Sequence, residues 1–353
     1  MDLPAAHPLV DGRTSGSALI SAYRGGTPHR RPVWFMRQAG RSLPEYRAHR
    51  EGTNMLESCL DPALASEITL QPVRRHDVDA GIFFSDIVIP LKLAGVDVDI
   101  VPGVGPVLGS PIRSAADVAA LPTLTHEALE PIRQAVALTV AELGSTPLIG
   151  FAGAPFTLAA YMVEGRPSRD HLGPRTMMHA DPDTWRVLTE WAADASGLFL
   201  QAQLEAGASA AQLFDSWAGS LGLDDYRRHV APASRRALDH VRGTAAPLIH
   251  FGTGTSELLG AMHEVGVDVI GVDYRLPLDE ASRRLGGTVP LQGNIDPALL
   301  PAPWPVLEQH VRDVLAAGAS APGHVVNLGH GVPPETDPDV LTRVVELIHS
   351  VEV

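Results

Sequence analysis

The chain has 353 residues, with 41 acidic side chains against 27 basic ones and a formal charge of −14. At 45% apolar and 19% charged it can bury a large core, which argues against disorder. Its acidity makes it a poor general binder of nucleic acid or anionic membrane, since phosphate neutralisation needs clustered cations.

Residue counts narrow the chemistry further. There is one Lys, Lys92, and one Cys, Cys59. No Gly-rich turn ends in Lys-Ser or Lys-Thr, so a P-loop is absent, and a Schiff-base mechanism has only Lys92 to use. A single Cys rules out an intramolecular disulfide, a Cys-ligated iron–sulfur cluster and a multi-Cys zinc site. No basic-then-apolar leader opens the chain and no apolar run is long enough to span a bilayer, so a cytoplasmic protein is expected. Residues 1–28 are expected to be a poorly ordered segment ahead of the fold, within one domain spanning 1–353.

In chain order, eight short continuous apolar runs stand out: 32–36, 80–85, 147–152, 210–215, 247–251, 268–272, 289–293 and 324–328. Unbroken rather than alternating apolarity fits buried parallel strands. Helix signals lie between them. Asp61-Pro62, Thr125 and Asp181-Pro182 each open an amphipathic stretch, and 338–348 reads as a closing helix. Eight strands alternating with helices predict a (β/α)₈ TIM-type barrel. Residues 96–108 read as a hairpin appended after the second strand, turning at Gly103 or Gly105.

Barrel active sites form at the C-terminal ends of the strands. Polar residues and glycines recur there: Arg37 to Arg41, Asp86, Gly153 to Phe156, Asp215 to Trp217, Gly252 and Gly254, Asp273 and Tyr274, Asn294 and Asp296, and Gly329 to Gly331. Residues 29–50 carry six Arg (30, 31, 37, 41, 47, 50) against Glu45 alone, a net +5 in an acidic chain. That points to a polyanionic ligand, because the planar guanidinium fork binds carboxylate or phosphate bidentately. Solvated surface arginines explain Arg30, Arg31 and Arg47 at least as well. Arg37 and Arg41 follow a strand directly. The 15 His include no H-E-x-x-H, and His171 and His179 are not spaced as a helical metal pair, so no metal site is expected.

These residues resemble the uroporphyrinogen decarboxylase family. PVWFMRQAGRSLPEYR (32–47), FSDI (84–87), GFAGAPFTLAAYMVEG (150–165), FDSWAG (214–219), LQGNIDP (291–297) and NLGHG (327–331) match its motifs in the same order. The resemblance implies a barrel, a homodimer, and conversion of the four acetates of uroporphyrinogen III to methyls, giving coproporphyrinogen III. It implies no cofactor and no metal. Carried over residue by residue, it assigns Asp86 to the pyrrole N–H groups and Arg37, Arg41 and Arg50 to carboxylates. Tyr161, Ser216 and His330 fall on substrate-binding positions, and Arg37, Tyr161 and His330 join Asp86 as catalytic candidates. Gln38, Ala39 and Phe214 are expected to line the pocket, the first two partly through backbone. Two other readings compete: a methyltransferase of the same barrel superfamily, which needs zinc on His and Cys, and a non-enzymatic polyanion binder. The lone Cys59 counts against the first, and Asp86 within FSDI against the second.

Overall fold

The computed structural model describes residues 2–352. Seven parallel strands form one sheet in the order β1 (Gly81–Ile82), β4 (Leu148–Gly153), β5 (Ala210–Phe214), β6 (Leu248–Phe251), β7 (Val269–Gly271), β8 (Leu291–Gln292) and β9 (His324–Val325). Between β1 and β4 in the chain lies an antiparallel hairpin of β2 (Val98–Val101) and β3 (Gly105–Leu108). It pairs Val98 with Leu108 and Val101 with Gly105, and both Gly103 and Gly105 take positive φ at its tip.

The first predicted strand closes the sheet on itself. Val33 bridges Val326 on one side, and its carbonyl accepts from Asp79 N at 2.8 Å on the other. The segment is less regular than its apolar run suggests, for a local reason. Phe35 N donates to Gln38 Oε1 at 3.0 Å and Met36 N to Asn327 Oδ1 at 2.9 Å, so side chains replace ladder partners. The run at 80–85 is likewise cut short. Phe84 N leaves the ladder and donates to Thr69 Oγ1 at 2.9 Å.

The expected helices form where capping chemistry places them. Asp61 caps Pro62–His76 by accepting from Ala63 N and Leu64 N, and Asp181 caps Pro182–Glu205 by accepting from Thr184 N. Asp337 caps Pro338–Ser350. The stretch after Thr125 starts as a short 3₁₀ turn and becomes helical from Glu130 to Leu143.

The expectation of a poorly ordered N-terminal segment is corrected. Helix Ala18–Tyr23 buries Leu19, Ile20, Ala22 and Tyr23 against the starts of the strands. Trp34 Nε1 donates to Tyr23 Oη at 3.1 Å, and Tyr23 Oη donates to Gln292 Oε1 at 2.5 Å. Gln292 Nε2 continues the chain to Gln212 Oε1 at 3.0 Å. Upstream, His7 bonds the carbonyls of Leu204 and Ala208, and Thr14 meets Ser209 at 2.9 Å. The polar composition of this segment satisfies buried groups at the N-terminal mouth rather than solvating a tail.

Candidate active site

The opposite mouth is open, and there the strand ends deliver charge. Arg37 follows the first strand with φ of 60°, in the left-handed region that a bulky side chain enters at a cost of about 1 kcal/mol. The next turn is tight, since a Cβ on Gly40 would sit 2.9 Å from the Arg37 carbonyl oxygen. The Arg37 side chain crosses to the last strand. A Cβ on Gly331 would lie 2.5 Å from its Cδ, so Gly331 is the gap through which Arg37 reaches over the mouth.

Asp86 lies one loop away, half-buried, with Oδ1 accepting from Val88 N at 3.0 Å. Desolvation pushes its carboxyl above the ordinary carboxylate range. The Val88 N–H and the Arg37 charge pull it back only in part. Tyr161, on helix Pro155–Glu164 after β4, responds to the same two charges. Its phenol is pushed up to about 12, by desolvation first and by Asp86 second, and Arg37 opposes both. Arg37, Asp86 and Tyr161 therefore act on one another within one site.

His330 completes the group from the loop after β9. Partial desolvation lowers its imidazole below the ordinary value, and the charges of Arg37 and then Arg275 lower it further, against the opposing charge of Asp273. It is a neutral imidazole beside two guanidinium groups at working pH. Arg275 is held by the buried Asp273 at 2.5 Å and lies over the Tyr274 ring, 4.5 Å from its centroid.

The remaining expected residues divide. Phe214 stands at the mouth, edge-to-face with Phe151 at 5.4 Å and Phe251 at 5.9 Å between ring centroids. Ser216 is half-buried, and its carbonyl accepts from Thr253 Oγ1 at 2.6 Å. Ala39 is half-buried in the Arg37 turn. Arg41 and Arg50 line an open depression beside the mouth with Tyr46 and Arg47. Arg41 is exposed, while Arg50 is tied to Thr53, Ser58 and the Asn54 carbonyl. Arg50 and Asp86 both act on Cys59, whose buried thiol is pushed up and stays protonated. The side chain of Gln38 turns away from the mouth, which leaves only its backbone for the pocket wall. It is fully buried, accepts from Phe35 N, and donates through Nε2 to Ala80 O at 3.0 Å, so its side chain braces the turn behind Arg37.

Two aromatic neighbours were not anticipated. Trp217 stacks on Tyr161 at 3.9 Å between centroids, and His171 stacks on the same indole at 4.2 Å. This stack joins the loop after β5 to the helix carrying Tyr161 and fixes that ring beside Asp86. Trp217 lies inside the FDSWAG motif, so its presence was readable but its partner was not. Asn327, which holds Met36 N, was the other omission.

Comparison with known proteins agrees along the whole chain. The model of the family described as "Uroporphyrinogen decarboxylase (URO-D)" matches residues 14–351. A uroporphyrinogen decarboxylase of Arthrobacter sp. (strain FB24) is 83% identical over 342 residues, covering 97% of this chain and 99% of that one. One from Leifsonia xyli subsp. xyli is 63% identical, covering 99% and 98%. Among solved structures, a methyltransferase from Methanosarcina mazei superposes with a TM-score of 0.78 over 95% of this chain and 98% of its own. At 17% identity that likeness shows the barrel alone. Among the described residues no helix is long and apolar enough to cross a membrane.

Proposed function

The chain belongs to the uroporphyrinogen decarboxylase family and is a carboxy-lyase of porphyrin and heme biosynthesis; from that premise we propose how its cleft carries out the reaction. The substrate, uroporphyrinogen III, presents eight carboxylates around four pyrroles. Each of four acetates loses CO₂ and gains one proton on carbon, leaving a methyl, so the product is coproporphyrinogen III. The electron pair left by CO₂ needs a sink. Protonating the pyrrole ring carbon supplies one, because the ring becomes an iminium-like cation. The pair then flows from the breaking C–C bond into that ring, and the new exocyclic methylene takes a proton. The ring carbon releases the proton it gained, which restores the pyrrole and leaves a net gain of one proton per acetate.

Asp86 is the charge partner for these steps. Its carboxylate accepts the converging pyrrole N–H groups and gains most when the ring turns cationic, since a desolvated anion is strengthened by a facing cation. Arg37 and Arg41 hold acetate and propionate carboxylates, with Arg50 at the edge. Arg37 orients the reacting acetate rather than donating the proton, because a guanidinium stays charged at any working pH. Tyr161, kept neutral, donates a hydrogen bond, and Ser216 adds another polar contact. His330, held neutral, hydrogen-bonds a carboxylate or relays a proton. Phe214 and the backbone of Gln38 and Ala39 shape the apolar wall. A homodimer in the cytoplasm belongs to this reading, on the strength of the family resemblance and the reducing environment that suits a single buried thiol.

The observation that carries the proposal is the placement of a desolvated Asp86 within the electrostatic reach of Arg37 and Tyr161. Its test is an anaerobic incubation with uroporphyrinogen III, followed by oxidation and separation of porphyrins by carboxylate number. The wild type is expected to remove four carboxylates stepwise, and Asp86→Gly to remove almost none while still folding. Full activity in folded Asp86→Gly overturns the role of Asp86. A wild type that returns all eight carboxylates overturns the reaction for this chain. Gel filtration with light scattering checks the dimer.

A further inference from the structure

Away from the mouth, three metal-ligating side chains meet between two helices. His179 comes from helix Leu172–Ala180, and Asp225 and His229 come from helix Leu223–His229. One ligand atom from each lies within 4.8 Å of the others, and among the described residues this is the cluster of three or more such groups. Asp225 and His229 are four residues apart on one helix and so share a face. His179 reaches them from the neighbouring helix, with its ring 5.5 Å from that of His229.

The distances suit a small ion. Zinc binds imidazole nitrogen and carboxylate oxygen at roughly 2.0–2.1 Å, so two ligand atoms on a tetrahedral ion stand about 3.3 Å apart. His179 Nε2 and Asp225 Oδ2 are already 3.3 Å apart. His229 then has to close by no more than about 1.5 Å, a small swing for a half-buried ring on a helix end. Its backbone is anchored meanwhile, since Trp185 Nε1 donates to its carbonyl at 2.9 Å. Two imidazoles and one carboxylate select zinc, copper or nickel over magnesium or calcium, which prefer all-oxygen shells. The lone thiol, Cys59, is buried elsewhere and does not compete.

We propose that His179, Asp225 and His229 form a surface site for a divalent transition-metal ion of the zinc class. Such an ion ties together two segments that also meet at the mouth. The helix bearing His179 directly follows His171, and the helix bearing Asp225 and His229 follows Trp217, the two rings that stack beside Tyr161. The ion thus clamps the outer ends of two segments whose inner ends hold the stack. The H-E-x-x-H motif does not describe this site, because the pair four apart on one helix is Asp225 and His229 rather than two His.

The test uses the untagged, chelator-stripped full chain titrated with zinc chloride in a calorimeter. Binding of one equivalent is expected, weakened tenfold or more in His179→Ala and in His229→Ala. Cobalt(II) is expected to give visible absorption bands of a four- or five-coordinate ion, lost in either variant, and excess magnesium is expected not to displace it. His179 is exposed, so its replacement leaves folding intact, which circular dichroism checks. No measurable zinc binding by the wild type overturns the site. Binding that persists undiminished in both variants overturns it equally. The readout is metal binding, so it stands whatever the decarboxylation assay returns.

Discussion

His324 and His330 sit at opposite ends of the last barrel strand, six residues apart, and they meet different fates. His324, at the N-terminal end, is 9% exposed and its Nε2 lies 2.7 Å from the Gly293 carbonyl. His330, past the C-terminal end, is exposed at the mouth beside Arg37 and Arg275. Both are depressed below the ordinary value, His324 by burial to about 4. Two groups of residues repeat the split. At the lower mouth Trp34, Tyr23, Gln292 and Gln212 hand hydrogen bonds to one another inside the protein. At the upper mouth Arg37, Asp86 and Tyr161 shift one another's electrostatics without closing a network. A polar group that is satisfied internally stabilises the fold, and one left facing outward is available to a ligand.

Removing the upper charge sharpens this contrast most. Asp86→Asn keeps the size and removes the anion that faces the cationic ring. We expect turnover to fall by about 10²–10³-fold, as for other lost transition-state charge partners. The melting temperature should stay the same or rise, because a desolvated carboxylate is relieved. A melting temperature that collapses with activity would place Asp86 with the lower-mouth residues instead.

The next largest effect belongs to the lower mouth and depends on pH. His324 titrates near 4 in the folded chain and near 6.5 in the unfolded one. Above 6.5 both states hold it neutral and stability is complete. As pH falls from 6.5 toward 4, only the unfolded state takes up the proton, so stability drops. The loss approaches about 3 kcal/mol and levels off below about 4. Denaturant unfolding across that window should show this slope. His324→Asn should reduce it while the buried His76, also lowered by burial to about 4, keeps the remainder, with activity at neutral pH left in place. The counterpart at the upper mouth, His330→Asn, should instead move the acid limb of kcat/KM with little change in stability.

Much of this division was readable in the sequence, and the exceptions share a cause. The unbroken apolar runs and Asp-Pro helix starts placed the strands, the hairpin and the cleft end. Arg37 and Asp86 were placed at the mouth because each directly follows a strand, whereas Tyr161, on the helix after β4, was placed by the family resemblance. Residues 1–28 were misjudged because their burial depends on matching segments far along the chain, as with His7 against the carbonyls of Leu204 and Ala208 just before β5. Gln38 shows a detail the motif hides: one position beyond Arg37, its side chain turns inward to serve Phe35 and Ala80 and leaves only its backbone toward the mouth. The Tyr161–Trp217–His171 stack draws on three separate segments, and no local pattern announces which rings will meet.

Tyr23→Phe tests the lower mouth without touching the cleft. The hydroxyl both donates to Gln292 and accepts from Trp34, so its loss leaves two buried polar atoms without that partner. The cost should be about 1–3 kcal/mol, seen as a lower denaturant midpoint. The kcat of the folded fraction should be unchanged. A fall in kcat at full stability would mean that the two ends are coupled through Gln292 and Gln212.

Gly331→Ala is the gentlest probe and the most specific one for Arg37. The new methyl meets Cδ and Cγ of Arg37 at 2.5 and 2.8 Å, so something has to move. Gly331 does not occupy the left-handed region, and its backbone accepts alanine without strain. The obstructing atoms belong to a long flexible side chain, so Arg37 swings away while the barrel stays as it is. The guanidinium keeps its charge and loses its position. Because one misplaced charge-assisted contact is at stake, KM should rise about tenfold with kcat reduced less. Arg37→Lys, which keeps the charge but not the fork, should show the same pattern more strongly. If Gly331→Ala left KM and kcat at wild-type values, the reach of Arg37 across to the last strand would have no part in holding the substrate.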